Sequence, residues 1–204
     1  AIPLLKKGVA VLVEKPISSS IEEAVSIINS SRFSSAILQV GHLERFNPAL
    51  LELRSSITKP MFIEAHRISP FKTRGIDVDV ILDIMIHDID IILHLVKSPV
   101  TKIDASGVAV VTDEVDIANA RVGFENGCVA NITASRISQT KMRKMRLFQR
   151  NAYIGIDFLQ KFSEIYKLVD ADTLKIQPNQ IPIEMGQIDQ QGKAKKIIYE
   201  RRQI

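Results

Sequence analysis

The mainly apolar stretch from Asp79 to Lys97 contains four polar residues whose types and spacing could support chemistry: Asp83, His87, Asp90 and His94. The length and apolar content of the stretch predict a buried helix. At about 100° per residue, the four side chains fall within about 60° of one another, on one helical face. A carboxylate four residues from an imidazole can orient it and stabilise its charged form, as a general acid–base histidine requires. A satisfied core pair is an equally good interpretation of Asp83 and His87.

The same stripe could instead bind a metal ion, which would make metal-assisted hydrolysis an alternative function. The sequence has no His-Glu-x-x-His motif, and no cysteine lies near the stripe. We therefore predict no metal site and expect Asp90 and His94 to make structural hydrogen bonds.

A second candidate, Lys15, follows an apolar run and precedes Pro16. Strand, helix and strand patterns over residues 9–40 predict part of a doubly wound parallel sheet, whose ligands bind beyond the carboxyl ends of its strands. Both strands are continuous apolar runs, so we expect them to be buried. Glu14, Lys15 and His42 fall at the carboxyl ends. A lysine there can hold a substrate hydroxyl, although a surface lysine at a strand end is the plainer interpretation.

The rest of the chain reads as a second domain. Asn47 and Pro48 form an N-cap and a first-turn proline, which predict a helix to Ile57, and we divide the chain into domains 1–46 and 47–204. Asn126-Gly127 between alternating runs predicts a hairpin. Predicted strands cover 61–69, 101–111, 117–124, 128–135, 141–150 and 152–157, with weaker ones at 163–169, 173–177 and 196–199. The expected class is α/β (α+β): the end of a Rossmann-type sheet, then a C-terminal domain with a large, mainly antiparallel open sheet packed on helices.

Composition excludes several classes of function. The net charge is +4 over 204 residues, and the basic residues between Ser135 and Arg150 have no interleaved aromatic beyond Phe148. We therefore interpret them as a solvated strand face and predict no nucleic-acid partner. Cys128 is the single cysteine, so no internal disulfide forms, and we expect it in the core. Neither a membrane span nor a signal peptide is evident, so we expect a cytoplasmic protein. The first residue is Ala1 rather than Met, which suggests a fragment or a processed chain.

Three motifs carry a resemblance that covers essentially the whole chain. They are Val-Leu-Val-Glu-Lys-Pro at 11–16, Val-Gly-His-Leu-Glu-Arg-Phe-Asn-Pro at 40–48 and Leu-Asp-Ile-Met-Ile-His-Asp-Ile-Asp at 82–90. Together they resemble the Gfo/Idh/MocA oxidoreductases, the glucose–fructose oxidoreductase and inositol dehydrogenase family. The resemblance implies hydride transfer between NAD or NADP and a carbon of a sugar or nucleotide sugar. It also implies a homodimer or homotetramer formed through the open sheet.

The resemblance also implies roles for particular residues. Lys15 would contact both the nicotinamide and the substrate hydroxyl, and His87, with Asp83 beside it, would take the hydroxyl proton. Lys15 and His87 must then converge on one pocket. Candidate cofactor ligands are Glu14, Lys15, Pro16 and Arg45, and candidate substrate ligands are His42, Asn47, Arg67 and Arg74. The two arginines Arg67 and Arg74 would suit an anionic substrate group.

One further motif narrows the resemblance, and one feature departs from it. Glu-Ala-His-Arg-Ile-Ser-Pro-Phe at 64–71 resembles the branch of the family that acts on the 3-hydroxyl of UDP-N-acetylglucosamine. However, the nine glycines never fall in the Gly-x-Gly-x-x-Gly spacing that cradles a dinucleotide. We therefore expect this chain by itself to bind NAD weakly or not at all. A non-catalytic sugar-binding or oligomerisation module stays open as the alternative.

Overall fold

A computed structural model describes residues 1–72, 78–170, 176, 178–188 and 194–203 of the chain. The chain divides into two compact units, Ala1–Glu44 and Arg45–Ile204. This division lies two residues before the boundary predicted between residues 46 and 47. Among the described residues, no helix is long and apolar enough to cross a membrane.

The first unit is a strand–helix–strand arrangement preceded by a short helix. Its elements are α1 (Ile2–Lys6), β1 (Val11–Glu14), α2 (Ile21–Ser34) and β2 (Leu38–Gly41). The strands pair in parallel, as the sequence predicted. A capping box starts α2: the Ser20 hydroxyl accepts a hydrogen bond from the Glu23 N–H at 3.2 Å, and the Glu23 carboxylate accepts one from the Ser19 hydroxyl at 2.9 Å. The first of these bonds satisfies an N–H donor that the first helical turn leaves without a partner.

The prediction that both strands of this unit are buried is wrong for the described chain. Leu12 in β1 is 65 % exposed, and Ile37 beside β2 is 71 % exposed. Because β1 and β2 are the two strands of this sheet among the described residues, the sheet has too little area to bury both of its faces.

The second unit is built on a nine-stranded sheet. After a 3₁₀ turn (Leu43–Phe46), its elements are α3 (Pro48–Leu51), β3 (Phe62–Ile68), α4 (Ile86–Val96), β4 (Val100–Val108), β5 (Ile117–Phe124), β6 (Val129–Ser135), β7 (Met142–Gln149), β8 (Ala152–Asp157), β9 (Phe162–Asp170), β10 (Gln180–Ile188) and β11 (Ala194–Gln203). The strand order is β10-β11-β9-β8-β7-β3-β6-β5-β4. All neighbouring pairs are antiparallel except β3 and β6, so the predicted large, mainly antiparallel sheet is confirmed.

Three details differ from the sequence prediction. The strand β3 lies in the middle of the sheet, between β6 and β7, so the sheet is not a simple meander. The helix that begins at Pro48 ends at Leu51, and the following turns bring Leu53 into the core with no exposed surface. The strand β10 was not predicted, and the predicted strand at 173–177 falls on residues of which only Ile176 is described.

The core lies on one face of the sheet, which we call the helix face because α4 packs there. Ile91, Ile92 and Val96 of α4 belong to one buried cluster with residues of β3, β5, β6, β7, β8 and β9. Strands β5 and β6 supply four alanines to this cluster, at positions 118, 120, 130 and 134. Small side chains allow a helix to approach a sheet closely, so these alanines make room for the isoleucines of α4. The opposite side of the sheet is called the open face.

The predicted hairpin at Asn126-Gly127 is confirmed. It joins β5 to β6, with a hydrogen bond of 3.0 Å from the Phe124 N–H to the Cys128 carbonyl. Gly127 has φ of +84°, a left-handed conformation that glycine adopts without steric cost. Cys128 is buried at the start of β6, as expected.

Two neighbouring positions of α4 provide a test of this packing. Ile92 is 1 % exposed and Leu93 is 46 % exposed. Ile92→Ala should lower the free energy of unfolding by about 2–5 kcal/mol, because it leaves a cavity between helix and sheet. Leu93→Ala removes a similar side chain from a solvent-exposed position about 100° further around the helix and should cost less than about 1 kcal/mol. Urea denaturation followed by tyrosine fluorescence measures both, since all three tyrosines belong to the second unit. Equal losses would contradict the packing.

Candidate active site

The helix that carries His87 begins with a wide turn. The Asp79 carboxylate accepts a hydrogen bond of 2.7 Å from the Leu82 N–H, which caps the start of the segment. Residues Ile81–Met85 then form a π-helical turn, and the Ile86 N–H donates to the Ile81 carbonyl five residues back. The predicted single helix is therefore two pieces, with Asp83 in the π turn and His87 in the first turn of α4. Such turns within helices are frequent at functional sites.

The residue after His87 anchors this helix to the sheet. Asp88 accepts two hydrogen bonds from the guanidinium of Arg67 on β3, at 3.1 Å from Nε and 2.8 Å from Nη2. Both side chains are almost completely buried, 3–4 % exposed. The guanidinium also lies 5.6 Å from the ring centre of Phe158, within range of a cation–π contact.

This pairing changes the interpretation of Arg67. The sequence suggested a ligand for an anionic substrate group, but the guanidinium is buried and bound bidentately by Asp88. Arg67 therefore positions the helix, and its contact with substrate stays a prediction. The sequence analysis did not select Asp88, because this residue lies outside the polar stripe. A charged residue on a helix side that is otherwise apolar is the pattern that could have indicated a buried ion pair there.

A second ion pair involves the polar stripe itself. Arg45 donates to both oxygens of Asp90, at 2.6 Å from Nε and 2.5 Å from Nη2. The hydrogen bond to Asp90 raises the pKa of Arg45 above its ordinary value. The expected structural hydrogen bond of Asp90 is thus confirmed. Arg45 is 36 % exposed, and its contact with a cofactor stays a prediction.

The members of the stripe lie in different environments. Asp83 is exposed, His87 and His94 are half-buried, and Asp90 is buried. Burial lowers the pKa of His94, and the nearby cations Arg45 and Lys97 lower it further. The part of the chain that the structure describes contains no group of three or more His, Cys, Asp or Glu side chains that could hold a metal ion.

The candidate residues of the first unit lie at one edge of its sheet. Glu14 and Gly41 are paired in the register of β1 and β2, so the residues that follow them, Lys15 and His42, leave the sheet at the same end. A Cβ atom on Gly41 would lie 3.1 Å from the Glu14 carboxylate, so glycine leaves room for that side chain. The peptide bond between Lys15 and Pro16 is cis.

The other predicted substrate ligands have mixed outcomes. Asn47 caps α3, since its side-chain oxygen accepts a hydrogen bond of 3.1 Å from the Ala49 N–H, and the predicted N-cap is confirmed. Its contact with substrate stays a prediction. Arg74 lies outside the described residues.

A buried network supports the segment that leads into the His87 helix. Asp116 has no exposed surface and accepts hydrogen bonds from three consecutive backbone N–H groups, at positions 110, 111 and 112, and from the Nε of Arg136 at 2.8 Å. Burial alone would raise the pKa of Asp116, but the hydrogen bonds from Thr112, Val111 and Arg136 hold it well below its usual range. Arg136 also donates to the Val78 carbonyl at 2.5 Å.

Arg136 corrects the interpretation of the basic run as a solvated strand face. It is 5 % exposed, and it joins the loop between β4 and β5 to Val78, just before the Asp79 cap. The remaining members of the run are exposed, as expected: Lys141, Arg143, Lys144, Arg146 and Arg150.

Comparisons with known proteins agree with this arrangement. A family model described as the GFO/IDH/MocA C-terminal domain matches residues 50–154. The chain is 40 % identical over 163 residues to the UDP-N-acetylglucosamine 3-dehydrogenase of Acidithiobacillus ferrooxidans, covering 79 % of this chain and 52 % of that protein. It is 26 % identical over 148 residues to the scyllo-inositol 2-dehydrogenase (NAD(+)) of Bacillus subtilis, covering 65 % and 43 %.

Solved structures show the same similarity. The structure of the Acidithiobacillus ferrooxidans enzyme matches with a TM-score of 0.76 at 40 % identity, over 80 % of this chain and 54 % of that one. Levoglucosan dehydrogenase in complex with NADH and levoglucosan matches with a TM-score of 0.73 at 15 % identity, over 81 % and 52 %, a likeness of fold. The chain therefore spans about half the length of the relatives it matches.

The ion pair between Arg67 and Asp88 can be tested by removing its partners separately and together. Arg67→Met removes two charge-assisted hydrogen bonds from the buried Asp88 carboxylate and should lower the free energy of unfolding by about 3–5 kcal/mol. Adding Asp88→Leu removes the buried negative charge and should recover most of that loss. Urea denaturation of the two single variants and the double variant measures the coupling. Additive losses would show that the two side chains do not depend on each other.

The lowered pKa of His94 predicts a pH-dependent stability. The unfolded chain binds the His94 proton more readily than the folded chain, so the contribution of this side chain is present above the ordinary histidine pKa of about 6.5 and is lost as the pH falls. His94→Gln should therefore reduce the difference in unfolding free energy between about pH 7.5 and about pH 5.5. His66→Gln, on the open face, is the matched control. An unchanged difference in the His94 variant would contradict the shift.

Proposed function

The chain belongs to the Gfo/Idh/MocA family of oxidoreductases, and from this premise we propose that it carries the substrate half of an NAD- or NADP-dependent dehydrogenase acting on a nucleotide sugar. The proposed reaction is oxidation of the 3-hydroxyl of UDP-N-acetylglucosamine. The observation that carries the proposal is the 40 % identity to a UDP-N-acetylglucosamine 3-dehydrogenase over 79 % of this chain. The two more distant relatives named above act on inositol and levoglucosan, which are also polyhydroxylated rings.

In this proposal, His87 is the general base. Oxidation of an alcohol removes a proton from oxygen and a hydride from carbon, and the imidazole of His87 accepts the proton. Asp83, one turn earlier, stabilises the imidazolium that forms. The ion pair of Arg67 and Asp88 supports this role, since it fixes the backbone next to His87 and leaves the imidazole itself only half-buried.

Lys15 supplies the second contact to the reacting hydroxyl. Its ammonium group donates a hydrogen bond to the substrate oxygen and stabilises the negative charge that develops there. Glu14, Pro16 and Arg45 line the cofactor, and His42 and Asn47 line the substrate.

The described residues fit one end of a nicotinamide cofactor. Lys15 and His42 follow residues paired in the parallel register of β1 and β2, at the strand ends where such sheets bind ligands. When bound, the nicotinamide accepts the hydride. The sequence has no glycine-rich loop for the pyrophosphate, so the chain by itself is expected to bind NAD weakly.

The open face of the sheet supports the proposed homo-oligomer. Five aromatic rings from five strands form a row there: Phe62, Phe148, Tyr153, Tyr166 and Tyr199, with neighbouring centres 4.9–6.0 Å apart. A continuous aromatic surface on an uncovered face is typical of a protein–protein interface. We therefore propose that two copies pack through this face.

The reaction is best tested in a chimaera in which this chain replaces its counterpart in the Acidithiobacillus ferrooxidans enzyme, so that the dinucleotide-binding part comes from that relative. The chimaera should reduce NAD or NADP with UDP-N-acetylglucosamine, measured as absorbance of the reduced nicotinamide. His87→Ala should lower turnover by about 10²-fold or more, a typical contribution of a general base. Leu93→Ala is the control, because Leu93 is exposed on the same helix and has no proposed role in the reaction.

The outcomes are distinct. An unchanged rate in the His87 variant would remove this residue from the mechanism. A chimaera that binds the nucleotide sugar but shows no turnover would favour the non-catalytic sugar-binding module.

A further inference from the structure

The strand at one end of the nine-stranded sheet has an unusual exposure pattern. Every residue of β4, from Val100 to Val108, is exposed, whereas its neighbour β5 alternates between buried and exposed positions. Ile103 is 66 % exposed and Val108 is 54 % exposed. In the described sheet, β4 pairs with β5 along one side and is the terminal strand along the other. An exposed edge strand of this length offers a row of backbone N–H and C=O groups to another strand.

The register with β5 determines which side chains of β4 lie on each face. Lys102 is opposite Gly123 and Asp104 is opposite Arg121, positions of β5 that lie on the open face. Ile103 is opposite Val122, on the helix face. A shift of register between Val100 and Lys102 marks a bulge, and the ladder is regular from Lys102 onward. The edge therefore presents the charged side chains of Lys102 and Asp104 on the open face, and the side chain of Ile103, between them in sequence, on the helix face.

We propose that β4 pairs antiparallel with β4 of a second copy of this chain, about a two-fold axis at Ile103. This register places Lys102 of each copy opposite Asp104 of the other and Ile103 opposite itself. Asp104 then lies between Lys102 of the second copy and Arg121, its neighbour on β5. Opposite charges directly across an antiparallel pair are stabilising.

The alternative registers are less favourable for a physical reason. An axis at Lys102 places two lysines opposite each other, and an axis at Asp104 places two aspartates opposite each other, both of which are destabilising. An axis between residues 103 and 104 places Ile103 opposite Asp104. Since opposite residues point to the same side of a sheet, the helix face of one copy would then lie on the same side as the open face of the other. The axis at Ile103 keeps both faces continuous, so two nine-stranded sheets become one.

This contact is separate from the proposed packing of open faces and does not depend on the proposed enzymatic activity. Pairing of one edge buries a modest area, so we expect an association that depends on protein concentration. If the open faces of two copies also pack together, pairing of the β4 edges joins two such dimers into a tetramer.

The test uses charge reversal on the full chain. In sedimentation velocity over a dilution series, the wild-type protein should associate, and Lys102→Asp and Asp104→Lys should each weaken this step by about tenfold or more, because each creates two like-charged contacts per dimer. The double variant Lys102→Asp/Asp104→Lys should restore it. An equimolar mixture of the two single variants should also restore it, since the mixed dimer again pairs opposite charges. Lys59→Asp, an equal charge change at another exposed site, should have no effect.

A cross-linking experiment reports on the axis itself. Ile103→Cys should form a disulfide-linked dimer on mild oxidation, because residue 103 of one copy lies opposite residue 103 of the other. Ala105→Cys should not cross-link, because residue 105 of one copy lies opposite residue 101 of the other. Single charge variants that associate like the wild type would overturn the proposal. So would a mixture that fails to recover association, or equal cross-linking at both positions; these results would indicate a different partner for the edge.

Discussion

The buried pair of Arg67 and Asp88 is the interaction on which the candidate site depends. A guanidinium and a carboxylate that are both 3–4 % exposed are stable together only because each compensates the desolvation of the other. Arg67 lies on a central strand of the sheet, and Asp88 follows His87 directly. The pair therefore ties the turn that carries the imidazole to a central strand of the sheet.

A second buried pair extends the same principle to the segment before the helix. Arg136 binds Asp116 and the Val78 carbonyl, so the loop after β4 and the approach to the Asp79 cap are held by one guanidinium. The π turn follows at once, where the backbone departs from regular helix. Irregular backbone next to a functional residue needs support from its surroundings, and this network provides it. Both arginines thus position the backbone of the segment that carries His87.

The nine-stranded sheet presents three different surfaces, and each has its own consequence. The helix face is filled by α4 and forms the core, with alanines of β5 and β6 that admit the helix. The open face carries a row of aromatic rings, and the edge at β4 carries a lysine and an aspartate two residues apart. The aromatic rings and the charged pair therefore lie on different surfaces of the sheet, so the open face and the β4 edge can each support a contact of its own.

The sequence by itself determined the local features, because these depend on neighbours within a few residues. Capping at Asn47, the hairpin at Gly127 and the alternation of the strands all belong to this class. The imidazole at position 87 and the lysine at position 15 were named as candidates from sequence, by helical spacing and by position at a strand end as well as by motifs. Tertiary structure decided the position of β3 between β6 and β7, and with it the burial of Arg67 and its pairing with Asp88, 21 residues away. The same holds for Arg136 and Asp116, 20 residues apart. Strand order and side-chain partners of this kind arise from packing across the whole sheet, and no local pattern in the chain encodes them.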